Sequence, residues 1–187
     1  MEGTQLVIEW NGELEGVRIP FLMTVDPIDR TKLTHDPDTY ALRLIMETNK
    51  TCPIAVYPAK EQFLEDLGEA LKNLELIRDM SVYERIYEAL GMFSFEGRPF
   101  QKKLRQFCEQ AHILMDETRY AQMERYVNYP YMKKKWQAYR KRQRRQLADW
   151  EIVYGRFWKF LMPLWRTALD GMVYLGSWMP DLGRYLD

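Results

Sequence analysis

Apolar residues recur at intervals of three and four over most of the chain beyond residue 58, and this spacing constrains the fold more than any other feature. Residues at these intervals lie on one face of an α-helix, and an apolar face has to be covered by other elements. The longest series, which includes one glutamine, consists of Trp136, Tyr139, Gln143, Leu147, Trp150, Tyr154, Phe157, Leu161 and Leu164. The pattern therefore predicts a helical body in which several amphipathic helices share one core.

The apolar stripes and the residues that interrupt them predict four helices, at about 59–79, 82–92, 98–127 and 131–162. The sequence from Ser81 to Glu84 matches a capping box, in which these two side chains satisfy the first N–H groups of a helix. Pro163 is expected to kink or end the last helix, because proline lacks the N–H that the helical ladder requires. The aromatic tail at 170–187 is expected to pack across the helices.

The first quarter of the chain is rich in β-forming residues. Two such runs, 5–10 and 17–25, are separated by a loop that begins at Asn11-Gly12, and they predict a hairpin with a longer loop. Residues 54–57 predict one more short strand. The segment 40–47 alternates as a strand does, but it consists mostly of strong helix formers, and we expect a helix there.

These elements define an α+β fold that is predominantly helical. A small N-terminal β-hairpin or sheet, residues 1–57, is expected to pack on a body of four to five helices, residues 58–187, with one long C-terminal helix. The chain has only two cysteines, and its beginning does not have the character of a signal peptide. We therefore expect a cytoplasmic protein. The charges that interrupt its apolar stretches argue against a membrane partner.

Charge is divided unequally along the chain, although the whole sequence has no formal net charge. Residues 1–96 contain 9 Lys and Arg against 18 Asp and Glu, and residues 97–187 contain the reverse. One segment holds eight cations and no acid: Lys133, Lys134, Lys135, Arg140, Lys141, Arg142, Arg144 and Arg145. A cluster of this density predicts an anionic partner, either nucleic acid (DNA or RNA) or an acidic protein surface.

The first hypothesis is a non-catalytic accessory protein whose basic helix contacts nucleic acid. Cations spaced along a helix can neutralise successive phosphates, and such a helix can enter a major groove. Trp136 and Tyr139 on the same helix can stack on unpaired bases. The sequence contains no helix-turn-helix, zinc-finger or RNA-recognition signature, so this hypothesis depends on the basic helix alone.

The alternative is a protein-interaction or assembly module, such as an adaptor, an inhibitor or a structural subunit. In this interpretation the narrow seam of Trp136, Tyr139 and Gln143 docks a partner helix, which can belong to another copy of the chain. The acids of the 59–79 helix can pair with the basic segment of the same chain or of a neighbour. This alternative predicts a homo-oligomer or a stable complex.

Catalysis has little support in the sequence, which contains no recognised catalytic motif. A lesser alternative is a metal-dependent hydrolase or nuclease that uses the four aspartates between Asp26 and Asp38. Cys108 and His112 are four residues apart, but no second pair completes a tetrahedral metal site. We therefore expect a protein without catalytic residues, resident metal or cofactor.

Overall fold

The structure, a computed structural model, describes residues 6–25, 38–43, 51–143 and 145–186, and it divides into an N-terminal unit (1–56) and a C-terminal unit (57–187). The fold is α+β and predominantly helical, as predicted. The helices of the C-terminal unit are α1 (Ala59–Asn73), α2 (Ser81–Met92), α3 (Gly97–Gln110), α4 (Glu117–Arg125), α5 (Pro130–Arg140) and α6 (Trp150–Leu169).

The described strands of the N-terminal unit form two antiparallel hairpins: β1 (Leu6–Leu14) with β2 (Val17–Val25), and β3 (Asp38–Arg43) with β4 (Thr51–Val56). The first hairpin confirms the prediction, but its loop is shorter than expected. Leu14 lies opposite Val17, and a two-residue turn of Glu15 and Gly16, both with positive φ, joins the strands. Positive φ at both turn positions matches the twist of paired strands. Asn11, where the loop was expected to begin, therefore lies within β1.

The prediction of a helix at 40–47 is wrong, because the described part of this segment belongs to β3. Tyr40 lies opposite Ile54 of β4, and the alternating pattern of the sequence continues along the strand. Pairing with a neighbouring strand outweighs helix propensity here, since strand stability depends on cross-strand neighbours. β4 confirms the short strand predicted in this region and begins earlier than expected, at Thr51. Residues 44–47 lie outside the described residues.

α6 is the central element of the C-terminal unit. Its buried residues are Trp150, Val153, Tyr154, Phe157, Phe160, Leu161, Leu164, Trp165 and Ala168. Tyr83 of α2 packs edge-on against Trp150 and Phe157, with ring centroids 5.0 and 5.8 Å apart. Phe160 meets Phe63 of α1 in the same edge-on geometry at 5.4 Å. Aromatic pairs of this kind add to the stabilisation from burial, so the helices converge on one aromatic-rich core.

α2 begins at Ser81, as the capping box indicated, but the contacts of a capping box are not formed. The Asp79 carboxylate accepts the Ser81 backbone N–H at 2.9 Å and the Ser81 hydroxyl at 2.7 Å. The carboxylate of Glu84, expected to fold back on the helix start, instead accepts hydrogen bonds from Tyr139 and Arg145. Asp79 thus satisfies one backbone N–H of the first turn, and Glu84 takes part in tertiary contacts instead of a capping box.

Two of the predicted helices are too long. The helix expected at 59–79 ends where Leu74 takes a φ of 48°. The helix expected at 98–127 divides into α3 and α4, because His112 takes a φ of 55°. The Asp116 carboxylate caps α4 by accepting the Arg119 backbone N–H at 2.7 Å. Apolar spacing continues across both breaks, so the pattern alone does not reveal them.

The prediction of one continuous helix at 131–162 is also wrong. α5 ends at Arg140, α6 begins at Trp150, and the described residues between them are not helical. The break allows Trp136 to fold back, so that its indole N–H donates to the Ala148 carbonyl at 3.0 Å and its ring lies 6.0 Å from that of Trp150. Both indoles are buried in one core, and this burial outweighs the local preference for a longer helix.

Pro163 does not end α6, which continues to Leu169. Proline removes one helical hydrogen bond, the one that its N–H would make to the carbonyl four residues earlier. That carbonyl belongs to Lys159, an exposed residue, and solvent can replace the missing donor. The packing of the flanking turns into the core therefore maintains the helix through the proline.

The aromatic tail forms an antiparallel sheet with the segment before α3, from β5 (Phe95–Glu96), β6 (Ser177–Met179) and β7 (Arg184–Leu186). Trp178 is fully buried, and its indole N–H donates to the Leu90 carbonyl at 2.9 Å. The Tyr185 hydroxyl donates to the Phe160 carbonyl at 3.0 Å. The tail thus packs across α2 and α6, as predicted.

Candidate functional site

The basic segment, residues 133–145, covers most of α5 and part of the connection to α6. Lys133 binds the Glu151 carboxylate at 2.6 Å, and Arg140 binds the Asp149 carboxylate. The hydrogen bond from Lys133 lowers the pKa of Glu151. Because both acids lie at the start of α6, these pairs fasten α5 to α6, and two of the eight cations are neutralised within the chain.

Two more cations of the basic segment are held by α2 and by the segment after α1. Arg145 bridges the carboxylates of Glu84 and Glu88, the second at 2.6 Å, and the hydrogen bond to Glu84 is the main cause of its raised pKa. Lys135 donates to two backbone carbonyls, including that of Glu75 at 3.0 Å, and desolvation lowers its pKa. Acids of the first half of the chain thus reach the basic segment.

Three cations of the segment, Lys134, Lys141 and Arg142, are exposed and form no ion pair with another described residue. Arg142 donates to the Ala138 carbonyl at 3.3 Å, which leaves its charge uncompensated. Arg144 lies outside the described residues. Of the seven described cations in the basic segment, three therefore remain available to an anion from outside the chain.

The aromatic seam predicted to stack on bases or to dock a partner faces the protein's own core. Trp136 is only 1% exposed, and it cannot stack on a base. The Tyr139 hydroxyl donates to the Glu84 carboxylate, and desolvation, followed by this bond, raises the pKa of Tyr139. Gln143 is half-buried, and its backbone N–H donates to the Arg140 carbonyl at 3.1 Å. The predicted contact with an outside partner is therefore wrong for Trp136, and Tyr139 is engaged internally.

Two exposed aromatic residues that the sequence reasoning missed, Tyr129 and Tyr131, flank Pro130 at the start of α5. They are 39% and 49% exposed. The rings of Tyr126 and Tyr129 stack with centroids 5.5 Å apart, and the ring of Tyr131 follows at 6.1 Å from that of Tyr129. The signal in the sequence is Tyr-Pro-Tyr directly before the basic segment, a pattern that by itself indicates only a helix boundary.

An exposed line of residues runs along α5 on the side away from the core. We call it the outer stripe, and it consists of Tyr131, Lys134, Ala138 and Lys141. Their spacing of three, four and three residues places them on one face, opposite the buried Met132 and Trp136. Lys134 and Lys141 lie about 10 Å apart along the helix axis. The stripe presents an aromatic ring and two separated cations to solvent.

A cleft of about 410 Å³ adjoins the tyrosine stack, lined by Glu75, Thr118, Ala121, Gln122, Arg125, Tyr126 and Tyr129. The Tyr126 hydroxyl and the Gln122 amide both donate to the Glu75 carboxylate, the amide at 3.2 Å. These bonds fix Tyr126 beneath the exposed ring of Tyr129. Arg125, which is exposed, adds a further cation on this side of the stack.

No group of three or more His, Cys, Asp or Glu side chains in the described ranges is placed to hold a metal ion. The aspartate loop considered for hydrolysis lies outside those ranges, apart from Asp38 in β3. Cys108 is buried, and desolvation raises the pKa of its thiol to about 12, whereas His112 is exposed. A neutral, buried thiol is a poor nucleophile and metal ligand, so Cys108 is a core residue.

Comparisons with known proteins give no match, since no family model fits the chain and no curated protein or solved structure is similar to it. Among the helices that the structure describes, none has the length and apolar character needed to cross a bilayer. The outer stripe and the tyrosine stack beside it are therefore the features that bear on function.

Proposed function

We propose that this protein is a non-catalytic accessory protein that binds single-stranded nucleic acid along the outer stripe of α5. One observation carries the proposal. Two exposed tyrosines, Tyr129 and Tyr131, lead directly into Lys134 and Lys141, which have no acidic partner among the described residues. Proteins that bind single strands combine aromatic rings, on which bases stack, with cations that follow the phosphates. We place this binding in the cytoplasm, in keeping with the small number of cysteines.

A single strand fits this surface better than a duplex. α5 has 11 residues and is therefore about 16 Å long. One of its sides is buried at Met132 and Trp136, and the chain turns away after Arg140, so the long cationic helix that would enter a major groove is not formed. Stacking on tyrosine also requires unpaired bases.

The number of available cations sets the expected salt dependence. The expected slope of the logarithm of the association constant against the logarithm of the salt concentration is about −2 when the contacts come from Lys134, Lys141 and Arg142. Each phosphate neutralised on a single strand contributes about −0.7 to this slope. A contribution from Arg125 brings the slope to about −3, whereas all eight cations of the basic segment would give about −6. The slope therefore distinguishes a short contact on the outer stripe from an unmasked basic segment.

Fluorescence anisotropy with labelled single-stranded and double-stranded DNA and RNA, titrated at several salt concentrations, tests the proposal. We expect single strands to bind more tightly than duplexes. The variant Lys134→Ala/Lys141→Ala is expected to reduce the magnitude of the slope by about 1.4. The matched variant Lys102→Ala/Arg105→Ala removes the same charge from exposed positions of α3 and is expected to change the slope much less.

The tyrosines are tested separately from the cations. The variant Tyr129→Ala/Tyr131→Ala is expected to weaken binding by about tenfold or more without changing the salt slope, because stacking releases no counterions. Failure of the wild-type protein to bind any strand at low salt would refute the proposal. Equal losses in the α5 and α3 charge variants would refute the assigned surface.

A further inference from the structure

The cleft beside the tyrosine stack, which we call the Glu75 cleft, combines an aromatic wall with a polar end. Its volume of about 410 Å³ lies within the range of small-molecule pockets. The rings of Tyr126 and Tyr129 are nearly parallel, with 15° between their planes. The polar side chains that line the cleft are Glu75, Thr118, Gln122 and Arg125. This combination suits a nucleobase, which stacks by its face and is recognised at its edge.

The Glu75 carboxylate is the anionic acceptor of the cleft, and residues from α4, from the turn after it and from α5 hold Glu75 in place. Its Oε2 atom accepts hydrogen bonds from the Tyr126 hydroxyl and from the Gln122 amide, the latter at 3.2 Å. The same amide donates to the Tyr126 hydroxyl at 3.0 Å. Lys135 of α5 donates to the Glu75 backbone carbonyl at 3.0 Å. The carboxylate is therefore in position before a ligand binds, and a ligand does not have to order it.

The second oxygen of this carboxylate, Oε1, is available to a ligand. Glu75 is only half-buried, and none of the described residues donates a hydrogen bond to Oε1. An ionised carboxylate accepts hydrogen bonds and donates none, and one oxygen can accept two of them. The amide nitrogen of Gln122 already donates to Tyr126 and to Glu75, which leaves the amide oxygen as a further acceptor. The polar end therefore favours a base edge that carries N–H donors.

We propose that the Glu75 cleft binds an unpaired guanine, an inference that rests on the proposed binding of single strands. Guanine has two adjacent donors on its Watson–Crick edge, the ring N–H and the exocyclic amino group, and one carboxylate can accept from both. Adenine and cytosine have a ring-nitrogen acceptor beside their amino group, and its lone pair would face the carboxylate. Uracil and thymine have a single N–H between two carbonyl oxygens. Both arrangements place an acceptor against an acceptor, which is unfavourable.

The charges around the cleft favour a nucleotide over a basic peptide, which could also pair with Glu75. Arg125 is exposed in the same cleft and forms no ion pair with another described residue. Tyr131, at the start of the outer stripe, lies 6.1 Å from Tyr129 between ring centroids. A strand with one base in the cleft can therefore continue along the stripe toward Lys134. Arg125 and Lys134 attract its phosphates and repel a basic peptide.

Fluorescence anisotropy with single strands of a thymine-thymine-guanine repeat, at one fixed salt concentration, tests the proposal. The guanine is replaced throughout by adenine, hypoxanthine or 7-deazaguanine. We expect the guanine strand to bind about tenfold more tightly than the adenine strand, as paired contacts to a base edge do. Hypoxanthine lacks the amino group of guanine and is expected to bind several-fold more weakly. The 7-deazaguanine strand keeps both donors and is expected to bind as the guanine strand does.

The variant Glu75→Gln tests the assigned acceptor. We expect it to reduce the preference for guanine over adenine from about tenfold to about twofold or less, because the anionic acceptor is lost. The matched variant Glu69→Gln removes the same charge from an exposed position of α1 and is expected to keep the preference. Displacement of the guanine strand by GMP but not by AMP would support the same base site, with the free nucleotide as a ligand.

Far-UV circular dichroism and urea unfolding show whether Glu75→Gln is folded. If it is not, the hypoxanthine and 7-deazaguanine strands test the same contact with the wild-type protein. Two results would overturn the inference and leave the proposed function intact: strands that bind equally well whichever base they carry, or a preference that folded Glu75→Gln and Glu69→Gln reduce equally. If no strand binds at low salt, the proposed function fails, and this inference fails with it.

Discussion

Gln101 is a buried amide that fastens α3 to the end of α6 and to the start of the C-terminal tail, and its replacement by leucine tests how this end of the core is held. Its amide nitrogen donates to the Leu164 carbonyl at 3.0 Å and to the Thr167 hydroxyl at 2.8 Å, with a longer contact of 3.3 Å to the Met172 carbonyl. Its amide oxygen accepts the Tyr174 backbone N–H at 3.1 Å. One side chain therefore joins three segments that are distant in sequence.

The Gln101→Leu variant keeps the approximate volume and removes every one of these hydrogen bonds. Each lost bond costs about 0.5–1.5 kcal/mol, and a buried group deprived of its partner costs about 1–3 kcal/mol. Burial of the more apolar leucine side chain offsets roughly 1 kcal/mol of this loss. We therefore expect the free energy of unfolding to fall by about 2–4 kcal/mol, or the melting temperature to fall by about 5–15 °C for a chain of this size.

The Gln101→Glu variant keeps the shape but replaces the donor by a carboxylate that faces the Leu164 carbonyl. Burial raises the pKa of such a carboxyl in the folded state. The folded protein then binds a proton that the unfolded chain has lost, so the destabilisation is absent below the unfolded pKa and grows as pH rises toward the folded pKa. At neutral pH we expect Gln101→Glu to be less stable than Gln101→Leu, and at acidic pH we expect the order to reverse.

Urea unfolding followed by circular dichroism measures both variants against Gln106→Leu, a matched change on the exposed side of α3. The control is expected to alter the free energy of unfolding by no more than about 0.5 kcal/mol. If Gln101→Leu is as stable as this control, the buried amide does not hold the three segments together and the reasoning is refuted. A Gln101→Glu variant whose stability is independent of pH would refute the assigned orientation of the amide.

Three further predictions concern the core. A methyl group on Gly68 in α1 would clash with the ring of Phe107, whereas one on Gly155 in α6 would meet open space. Urea unfolding is therefore expected to show a loss of about 1–3 kcal/mol for Gly68→Ala and a gain of about 0.5–1 kcal/mol for Gly155→Ala. In a Cys52→Ala background, the Cys108 thiol is expected to stay unreactive toward a thiol reagent until the protein is unfolded, and rapid reaction of the native protein would contradict its burial. Because burial raises the Cys108 pKa from 9.0 to about 12, stability is expected to fall as pH rises between these values, and to fall less in Cys108→Ala.

The position of the hairpin turn shows what the sequence can predict when strand register is included. A turn at Asn11-Gly12 would pair Trp10 with Glu13 and mix charged with apolar residues on each face. The turn at Glu15-Gly16 instead keeps all the charges of the strands on one face, because a change of register moves every side chain relative to its partners. The alternation of apolar residues in both strands thus favours the correct register, although the Asn-Gly pair is the stronger local turn signal.

The break between α5 and α6 could not be predicted from local sequence. Apolar residues keep helical spacing across it, because both helices face the same core, and the intervening residues are mostly good helix formers. The decisive contacts are tertiary ones, in which Trp136 packs on Trp150 and donates to the Ala148 carbonyl. Similarly, the acids that bind Arg145 lie about sixty residues earlier in the chain, on α2, and only the fold brings them together.

Because the fold joins Glu84 and Glu88 to Arg145, the charge asymmetry of the sequence overstates the asymmetry of the molecular surface. The remaining imbalance is one between the two units, because residues 1–56 have four more acids than cations and residues 57–187 have four more cations than acids. The cations that stay available on the basic segment, Lys134, Lys141 and Arg142, belong to the second unit. Strand binding along the outer stripe is therefore expected to weaken as salt counterions compete, and Lys134→Ala is expected to reduce this dependence on salt.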